Sequence, residues 1–218
     1  DCYDWDFCQI QYNYLDEHSQ AGKRGLQYAA SKGIPVWIME PLRGGRLVNN
    51  LPEKAKKLFA QHPSGRTPAE WAFRWLWNQP EVTCVLSGMN SLEMVQENVV
   101  NADASRPGEF TEEDHALIAG VVEAINEKMK VGCTGCGYCQ PCPKGIQIPR
   151  IFQAYTYHNV YGLHELAKNT WKGYVNNEKN PGATAKDCIN CGFCERKCPQ
   201  HLKIRELLKK TEEVLNAL

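Results

Sequence analysis

The chain has 218 residues, of which 43% are hydrophobic and 23% charged. This composition is typical of a folded globular protein with one or two domains and argues against disorder. Its 25 Lys and Arg residues balance its 25 Asp and Glu residues, so we expect neither nucleic-acid binding nor attraction to an anionic membrane. No apolar run approaches the roughly 20 residues that cross a bilayer, and no leader-like segment opens the chain. We therefore expect a cytoplasmic protein.

The chain begins at Asp1 rather than Met, and a strand-like stretch follows over residues 7–12 with no element before it. We therefore expect a piece of a longer protein. Up to about residue 110, short apolar runs alternate with helical patterns, which indicates β/α units around a parallel sheet. The predicted strands cover residues 7–12, 34–39 and 82–86. The predicted helices cover residues 16–32 and 53–61, a segment that opens at Thr67, and residues 91–100.

Two helix boundaries carry clear signals. Gly33 is the predicted stop of the first helix, and the segment from Thr67 to Glu70 predicts a capping box with Pro at the first helical position. In the helix that follows, four apolar residues share one face by 3.6-residue spacing and are predicted to lie in the core. They are Trp71, Ala72, Trp75 and Leu76.

A last amphipathic helix opens at residues 111–114 and ends near residues 128–130, acidic at its start and basic at its end. We place a domain boundary directly after it, which gives domains over residues 1–130 and 131–218. The second domain shows no strand-like alternation. Its predicted helices cover residues 150–160, 163–175 and 203–218.

Cysteine usage is unusual. Of the 11 cysteines, Cys2, Cys8 and Cys84 are scattered, and the others form two runs that each end in Cys-Pro. The runs are Cys133, Cys136, Cys139 and Cys142, then Cys188, Cys191, Cys194 and Cys198. The second run has the spacing of bacterial 4Fe–4S ferredoxins.

Iron–sulfur clusters are the favoured interpretation of these runs, and two alternatives stay open. The small residues Gly135, Gly137 and Gly192 let backbone amides approach cluster sulfurs. A disulfide framework needs an oxidising compartment, and an odd number of cysteines disfavours it. Zinc also uses Cys-x-x-Cys pairs, although its sites typically combine two separated pairs rather than triplets followed by Cys-Pro.

Ferredoxin-like ligation would cross between the runs, because in two-cluster ferredoxins the fourth cysteine of each run binds the other cluster. Carried over, one cluster is held by Cys133, Cys136, Cys139 and Cys198. The other is held by Cys188, Cys191, Cys194 and Cys142. The first run has two residues rather than three before its last cysteine, which leaves this pairing open. We expect two 4Fe–4S clusters in an α-helical ferredoxin-like domain.

Beyond the cysteines, residues 9–15, 39–45, 87–90 and 97–98 resemble the aldo/keto reductases, specifically the branch with a C-terminal ferredoxin module. The resemblance implies a (β/α)8 barrel of which residues 1–130 supply the last three strands and the closing helices. Such barrels need about 250 residues, so the N-terminal half is expected to be absent. The family's catalytic Asp, Tyr, Lys and His would be absent with it, so we expect no catalytic residue and an inactive fragment. The histidines His18, His62 and His115 are expected at the surface.

The resemblance also implies part of an NAD(P) site at the carboxyl ends of the strands. The implied residues are Gln9 and Met39 at the nicotinamide, Pro41, Leu42 and Gly44 along the pyrophosphate, and Gly88, Asn90, Glu97 and Asn98 around the adenosine. As alternatives, Gln9 is a satisfied core amide, and Glu97 with Asn98 is a surface pair. The Lys and Arg with which relatives hold the NADP phosphate correspond to Gly88 and Met94, so NAD or NADP stays open.

The resemblance implies an iron–sulfur oxidoreductase that couples NAD(P)H-linked hydride chemistry to electron transfer through two 4Fe–4S clusters. Its expected partners are the missing half of the barrel, a small carbonyl or alcohol substrate and a redox partner protein. Two alternatives remain. The chain could be a ferredoxin-like electron carrier without catalysis of its own, or its metal could serve only to hold a small helical domain together.

Overall fold

The computed structural model of the protein describes residues 3–218, so Cys2 lies outside the described residues. The described chain forms two compact units, one that ends at Ile125 and one that spans Asn126–Leu218. This division lies slightly before the domain boundary that we place after residue 130. The two units are described separately below.

The first unit contains a three-stranded parallel sheet in the order β1-β2-β3. Its strands are β1 (Cys8–Gln11), β2 (Val36–Met39) and β3 (Val82–Val85). Each strand lies within a segment that the sequence predicts as a strand. Because the strands are parallel, their carboxyl ends meet at one edge of the sheet.

The two faces of this sheet differ in exposure, because successive side chains of a strand point to opposite faces. Val36 and Ile38 of β2 are fully buried, with 0% exposure. On the opposite face Met39 is exposed, and Gln9 of β1 pairs with Trp37 in the register. Strand β2 therefore has one buried face and one open face, and the open face of the sheet carries Gln9 beside the apolar side chains of Trp37 and Met39.

Six helices accompany the sheet in the described part of this unit. They are α1 (Gly22–Ser31), α2 (Arg46–Asn49), α3 (Glu53–Gln61), α4 (Pro68–Trp77), α5 (Leu92–Ala104) and α6 (Glu112–Asn126). The bounds of α3 are those predicted from the sequence. The four residues predicted as the inward face of α4 are all buried, at 7% exposure or less. They are Trp71, Ala72, Trp75 and Leu76.

Helix α1 begins later than predicted. The sequence pattern favours a start near Asp16, whereas the helix begins at Gly22. The Asn13 side chain accepts hydrogen bonds from the backbone N–H groups of Leu15 and Asp16, which folds this stretch as a turn. Gln20 and Gly22 then adopt left-handed φ values of 54°. An Asn that competes for backbone donors therefore outweighs the helical periodicity.

Two further expectations need correction. Only half of the capping box at α4 forms, because Thr67 Oγ1 accepts from the Glu70 N–H while the Glu70 carboxylate binds Arg74 instead. His62 is not a surface residue, since its side chain is 11% exposed and packs edge-on against Trp71. Its Nε2 lies 3.7 Å from the buried Asp114 carboxylate.

The second unit is helical, with no strand between Asn126 and Leu218. Its elements are α7 (Ile148–Asn159), α8 (His164–Val175), a 3₁₀ turn (Ala185–Asp187), α9 (Phe193–Arg196) and α10 (Ile204–Asn216). Its core contains Ile148, Ile151, Phe152, Trp171 and Leu208, each at most 3% exposed. In the whole described chain, residues 3–218, no helix combines the length and the apolar character needed to cross a membrane.

The Thr67 cap offers a test of the first unit. Replacing Thr67 with Ala removes the acceptor of the Glu70 N–H, so we expect the free energy of unfolding to fall by about 1 kcal/mol. Thr67→Ser keeps an acceptor hydroxyl and is expected to retain most of the stability. Urea unfolding followed by tryptophan fluorescence measures both variants. A Thr67→Ser variant as unstable as Thr67→Ala would contradict the capping role.

Candidate functional site

The cysteines of the two runs line two pockets in the second unit. Site A is the pocket lined by Cys133, Cys136, Cys139 and Cys198. Site B is the pocket lined by Cys142, Cys188, Cys191 and Cys194. Each site combines three cysteines of one run with the last cysteine of the other run. Ile148, the first residue of α7, lines both pockets.

The loops that carry the cysteine triplets share one backbone conformation. In the first loop Gly135 and Gly137 have φ values of 76° and 78°, and in the second Asn190 and Gly192 have values of 57° and 69°. Left-handed positions favour Gly, and Asn tolerates them better than most other residues. Both loops therefore turn at the same two points, and this turning brings their three cysteines to the rim of one pocket.

The repeat continues past each Cys-Pro pair. Gly145 and His201 both have left-handed φ values, of 72° and 51°. Their N–H groups donate to the carbonyl oxygens of Cys142 at 2.8 Å and Cys198 at 3.1 Å. Helices α7 and α10 begin three residues later in both copies. The same turn thus places the last cysteine of each run next to the triplet of the other run.

All described cysteines are free thiols, so no described pair forms a disulfide. Burial raises the pKa of the Cys139 thiol to about 11, and the negative charge of Cys133 adds to this effect. Burial also raises the pKa of Cys194. Thiolates gathered in such pockets need a cationic partner. Within residues 3–218, no three His, Cys, Asp or Glu side chains converge closely enough to hold a single ion.

Each pocket also contains a buried donor without a partner. Thr134 Oγ1 and Arg205 Nε are buried and have no hydrogen-bond partner in the described part of the chain. Thr134 lines site A and Arg205 lines site B. A buried donor without a partner costs free energy, so each pocket is suited to a ligand that presents acceptors. The sequence analysis did not identify either residue, although Thr134 lies between two cysteines of a triplet.

In the first unit, the structure brings Gln9 and Met39 together on the open face of the sheet. Gln9 Nε2 donates to Met39 Sδ at 3.1 Å. Gln9 is exposed, so the alternative that it is a core amide is wrong. Both side chains are therefore accessible from the open face.

The loop after β2 turns sharply. Its residues Glu40, Arg43 and Gly44 all have left-handed φ values, between 52° and 64°. Of the implied pyrophosphate residues, Pro41 is buried, Leu42 is half-buried and Gly44 is exposed. The loop leaves the sheet at its carboxyl edge, where it offers backbone groups on a tightly turned segment.

A polar network that the sequence analysis missed supports this loop. Asn13 Nδ2 donates to Asp16 Oδ2 and to the Glu40 carbonyl oxygen, both at 3.0 Å. Arg43 Nε lies 3.4 Å from the same Asp16 carboxylate, and both side chains are nearly buried. Arg43 Nη1 is buried without a hydrogen-bond partner. The available signal was the polar stretch directly after a predicted strand, where ligand contacts concentrate.

The remaining implied residues follow β3. Gly88 and Asn90 lie in the exposed loop between β3 and α5. Asn98 Nδ2 donates to Ser87 Oγ at 3.2 Å, so this residue of α5 is tied to the end of the strand. Glu97 is exposed. All nine implied residues thus lie on the open face or beyond the carboxyl ends of adjacent parallel strands, and whether they bind a dinucleotide stays a prediction.

Comparison with known families agrees with this division of the chain. Residues 1–123 match the family model described as "Aldo/keto reductase family", and residues 132–203 match that of a "4Fe-4S dicluster domain". The first match covers more than half of the chain. The protein therefore belongs to the aldo/keto reductase family and carries a 4Fe–4S domain after the reductase segment.

Individual relatives are distant and longer. The probable glycolate oxidase iron-sulfur subunit of Bacillus subtilis (strain 168) is 27% identical over 95 residues, which is 43% of this chain and 20% of that protein. The apo form of aldo-keto reductase AKR11C1 from Bacillus halodurans is 22% identical, with 56% of this chain and 45% of that one covered and a TM-score of 0.45. Its holo form is 24% identical, with 53% of this chain and 42% of that one covered and a TM-score of 0.42. The matches span less than half the length of each relative.

The residues of both sites fit iron–sulfur ligation. The 4Fe–4S match includes every cysteine of the two runs. A cubane needs one thiolate for each of its four irons, and each site offers four thiols. The unpartnered donors of Thr134 and Arg205 fit sulfur acceptors, because hydrogen bonds to the sulfurs are a regular feature of such sites. The donor set and the buried polar atoms therefore agree with the family match.

The grouping of the cysteines predicts how much iron each combination of cysteine substitutions removes. Removing Cys136 or Cys198 disables site A, so we expect Cys136→Ala, Cys198→Ala and the double variant each to lose about half of the bound iron. Cys136→Ala combined with Cys191→Ala removes one ligand from each site and is expected to lose nearly all of it. Iron and acid-labile sulfide per chain, measured after anaerobic reconstitution, give the comparison.

Both double variants lack two cysteines, so each serves as the control for the other. Equal iron contents in the two double variants would contradict the crossed grouping.

Proposed function

We propose that this chain is part of an iron–sulfur oxidoreductase of the aldo/keto reductase type, which couples hydride chemistry at a nicotinamide dinucleotide to electron transfer through two 4Fe–4S clusters. One observation carries the proposal. The eight cysteines form two four-thiol pockets in a chain whose first 123 residues match the aldo/keto reductase family. The two chemistries are thereby encoded in one polypeptide.

Sites A and B each hold one cluster in this proposal. Bound there, the clusters supply one-electron transfer. The chain provides four thiolates for each and a largely apolar lining, with Ile148 and Phe152 at site A and Ile146 and Leu208 at site B. This lining limits the access of water to each site. Zinc is the weaker occupant, because triplets followed by Cys-Pro match ferredoxin ligation.

The dinucleotide lies across the carboxyl edge of the sheet in this proposal. Gln9 Nε2, which donates to Met39 Sδ, is the donor that would bind the nicotinamide carboxamide. The loop after β2 supplies backbone groups for the pyrophosphate, and Arg43, whose Nε is paired with Asp16, leaves its Nη1 without a hydrogen-bond partner among the described residues. Asn98, tied to Ser87, orients the start of the adenosine region. Bound there, the nicotinamide supplies hydride transfer.

The electron count of the two chemistries agrees. Oxidation of a reduced nicotinamide would release two electrons and one proton, and two 4Fe–4S clusters that each change by one electron would accept the two electrons while the proton goes to solvent. The side chains that transfer the substrate proton lie outside this chain in the proposal, on the earlier strands of the barrel. The chain therefore needs the rest of the barrel to reduce a small carbonyl or to oxidise an alcohol, and a redox protein to exchange electrons with the clusters.

A second candidate function is electron transfer alone. The relative from Bacillus subtilis is named as an iron-sulfur subunit of a probable glycolate oxidase, and a comparable role here would be that of an electron-carrying subunit for a separate catalytic partner. In that case the sheet is a scaffold, and Gln9 and Arg43 have no ligand.

A dinucleotide titration distinguishes these functions. We expect reduced nicotinamide dinucleotide to bind the chain, with Gln9→Leu weakening the affinity roughly fivefold through the loss of one hydrogen bond of about 1 kcal/mol. Nicotinamide fluorescence measures the affinity. Gln27→Leu, the same change at an exposed position of α1, is the control and is expected to bind as the wild type does. Absence of binding to the wild type, or equal losses in both variants, would contradict the dinucleotide site.

A further inference from the structure

The loops of the two cysteine sites share one backbone conformation, but the side chains that line the sites differ in charge. Among residues 3–218, no charged side chain lines site A, whereas Lys144 and Arg205 line site B. The repeat shows where this difference arises. Arg205 follows the first residue of α10, and the equivalent position of α7 is Pro149. The chain has thus placed a guanidinium at one site and a residue without a side-chain donor at the other.

Arg205 is held in place by the loop that surrounds site B. Its Nη2 lies 2.7 Å from Glu195 Oε2, and its Nη1 donates to the Asn190 carbonyl oxygen at 3.2 Å. Its backbone N–H donates to the other oxygen of Glu195 at 2.9 Å. The terminal nitrogens are therefore engaged, while the Nε–H is buried without a partner.

A second guanidinium reinforces this loop. Arg196 Nη1 donates to the Cys191 carbonyl oxygen at 3.1 Å. The first run has no counterpart, because Gln140 and Pro141 occupy the shorter segment between its last two cysteines. At site A the unpartnered donor is instead the neutral hydroxyl of Thr134. The unpartnered donor is therefore charged at site B and neutral at site A.

Reduction adds negative charge to a cluster, so nearby donors and positive charge stabilise the reduced form and raise the reduction potential. A hydrogen bond from a charged donor is roughly twice as strong as one between neutral groups. The Glu195 carboxylate, which is paired with Arg205, offsets part of the effect of the Arg205 charge on a cluster at site B. The hydrogen bond from the Nε–H group is therefore the main local effect on the reduction potential.

We propose that Arg205 donates its Nε–H to a sulfur of the cluster held at site B and gives this cluster the more positive reduction potential of the two. Thr134 donates a weaker hydrogen bond to the cluster at site A. The inference rests on the proposed two-cluster function. Electrons that enter the pair settle at site B. Cys191 of this site is exposed, whereas Cys139 of site A is buried. Site B is therefore the cluster from which a redox partner takes electrons.

Reduction potentials test this assignment directly. The full chain is reconstituted anaerobically with iron and sulfide, and each potential is measured by redox titration with EPR detection. We expect Arg205→Gln to lower the more positive potential and leave the other unchanged. Thr134→Val, which keeps the shape but removes the hydroxyl, is expected to lower only the more negative potential. Lys210→Gln removes a cation from an exposed position of α10 and is the matched control, with neither potential shifted.

Arg205→Lys keeps a positive charge for Glu195 but lacks the Nε–H group. It is expected to lower the more positive potential by less than Arg205→Gln does, and iron content equal to the wild type verifies that both variants retain their clusters. If both clusters are reducible but Arg205→Gln shifts both potentials equally, or neither Arg205 variant shifts a potential, this inference is overturned and the proposed function stands. Wild-type protein with fewer than two reducible clusters would overturn both.

Discussion

The crossing of one cysteine from each run into the site of the other is the constraint on which the second unit depends. Neither run completes a four-thiol site alone, so the segment between them must fold back before either site can close. Helices α7 and α8 provide this return. Tyr174 of α8 accepts from the Gln147 N–H at 3.1 Å and donates to the Ala183 carbonyl oxygen at 2.5 Å, which joins the segments leading from the first run and into the second.

With clusters bound as proposed, metal binding and folding would be linked in this unit. The first residue of α7 lines both pockets, and Trp171 Nε1 of α8 donates to Asn216 Oδ1 of α10 at 3.0 Å. The apolar core is thus built around the same elements that position the thiols. A repeat with nearly identical loops makes the two sites alike, and the few places where the copies differ, above all Arg205 against Pro149, make them electrically distinct.

Much of the local structure follows from the sequence. The three strands, the bounds of α3 and the buried face of α4 could be predicted because periodicity and caps are local signals. The start of α1 could not, since the Asn13 side chain competes for backbone donors. The cysteine grouping could be expected from spacing and ferredoxin likeness, but the donors Thr134 and Arg205 could not. Their burial and lack of partners depend on tertiary packing, as does the network of Asn13, Asp16 and Arg43.

The central claim is that sites A and B each hold a 4Fe–4S cluster. Quantifying iron, zinc and acid-labile sulfide in anaerobically reconstituted protein, with EPR spectra before and after dithionite reduction, tests it most directly. The account predicts about eight irons and eight sulfides per chain, as two cubanes require, and a reducible signal. Zinc without labile sulfide would contradict it and would leave the second unit as a metal-stabilised helical domain.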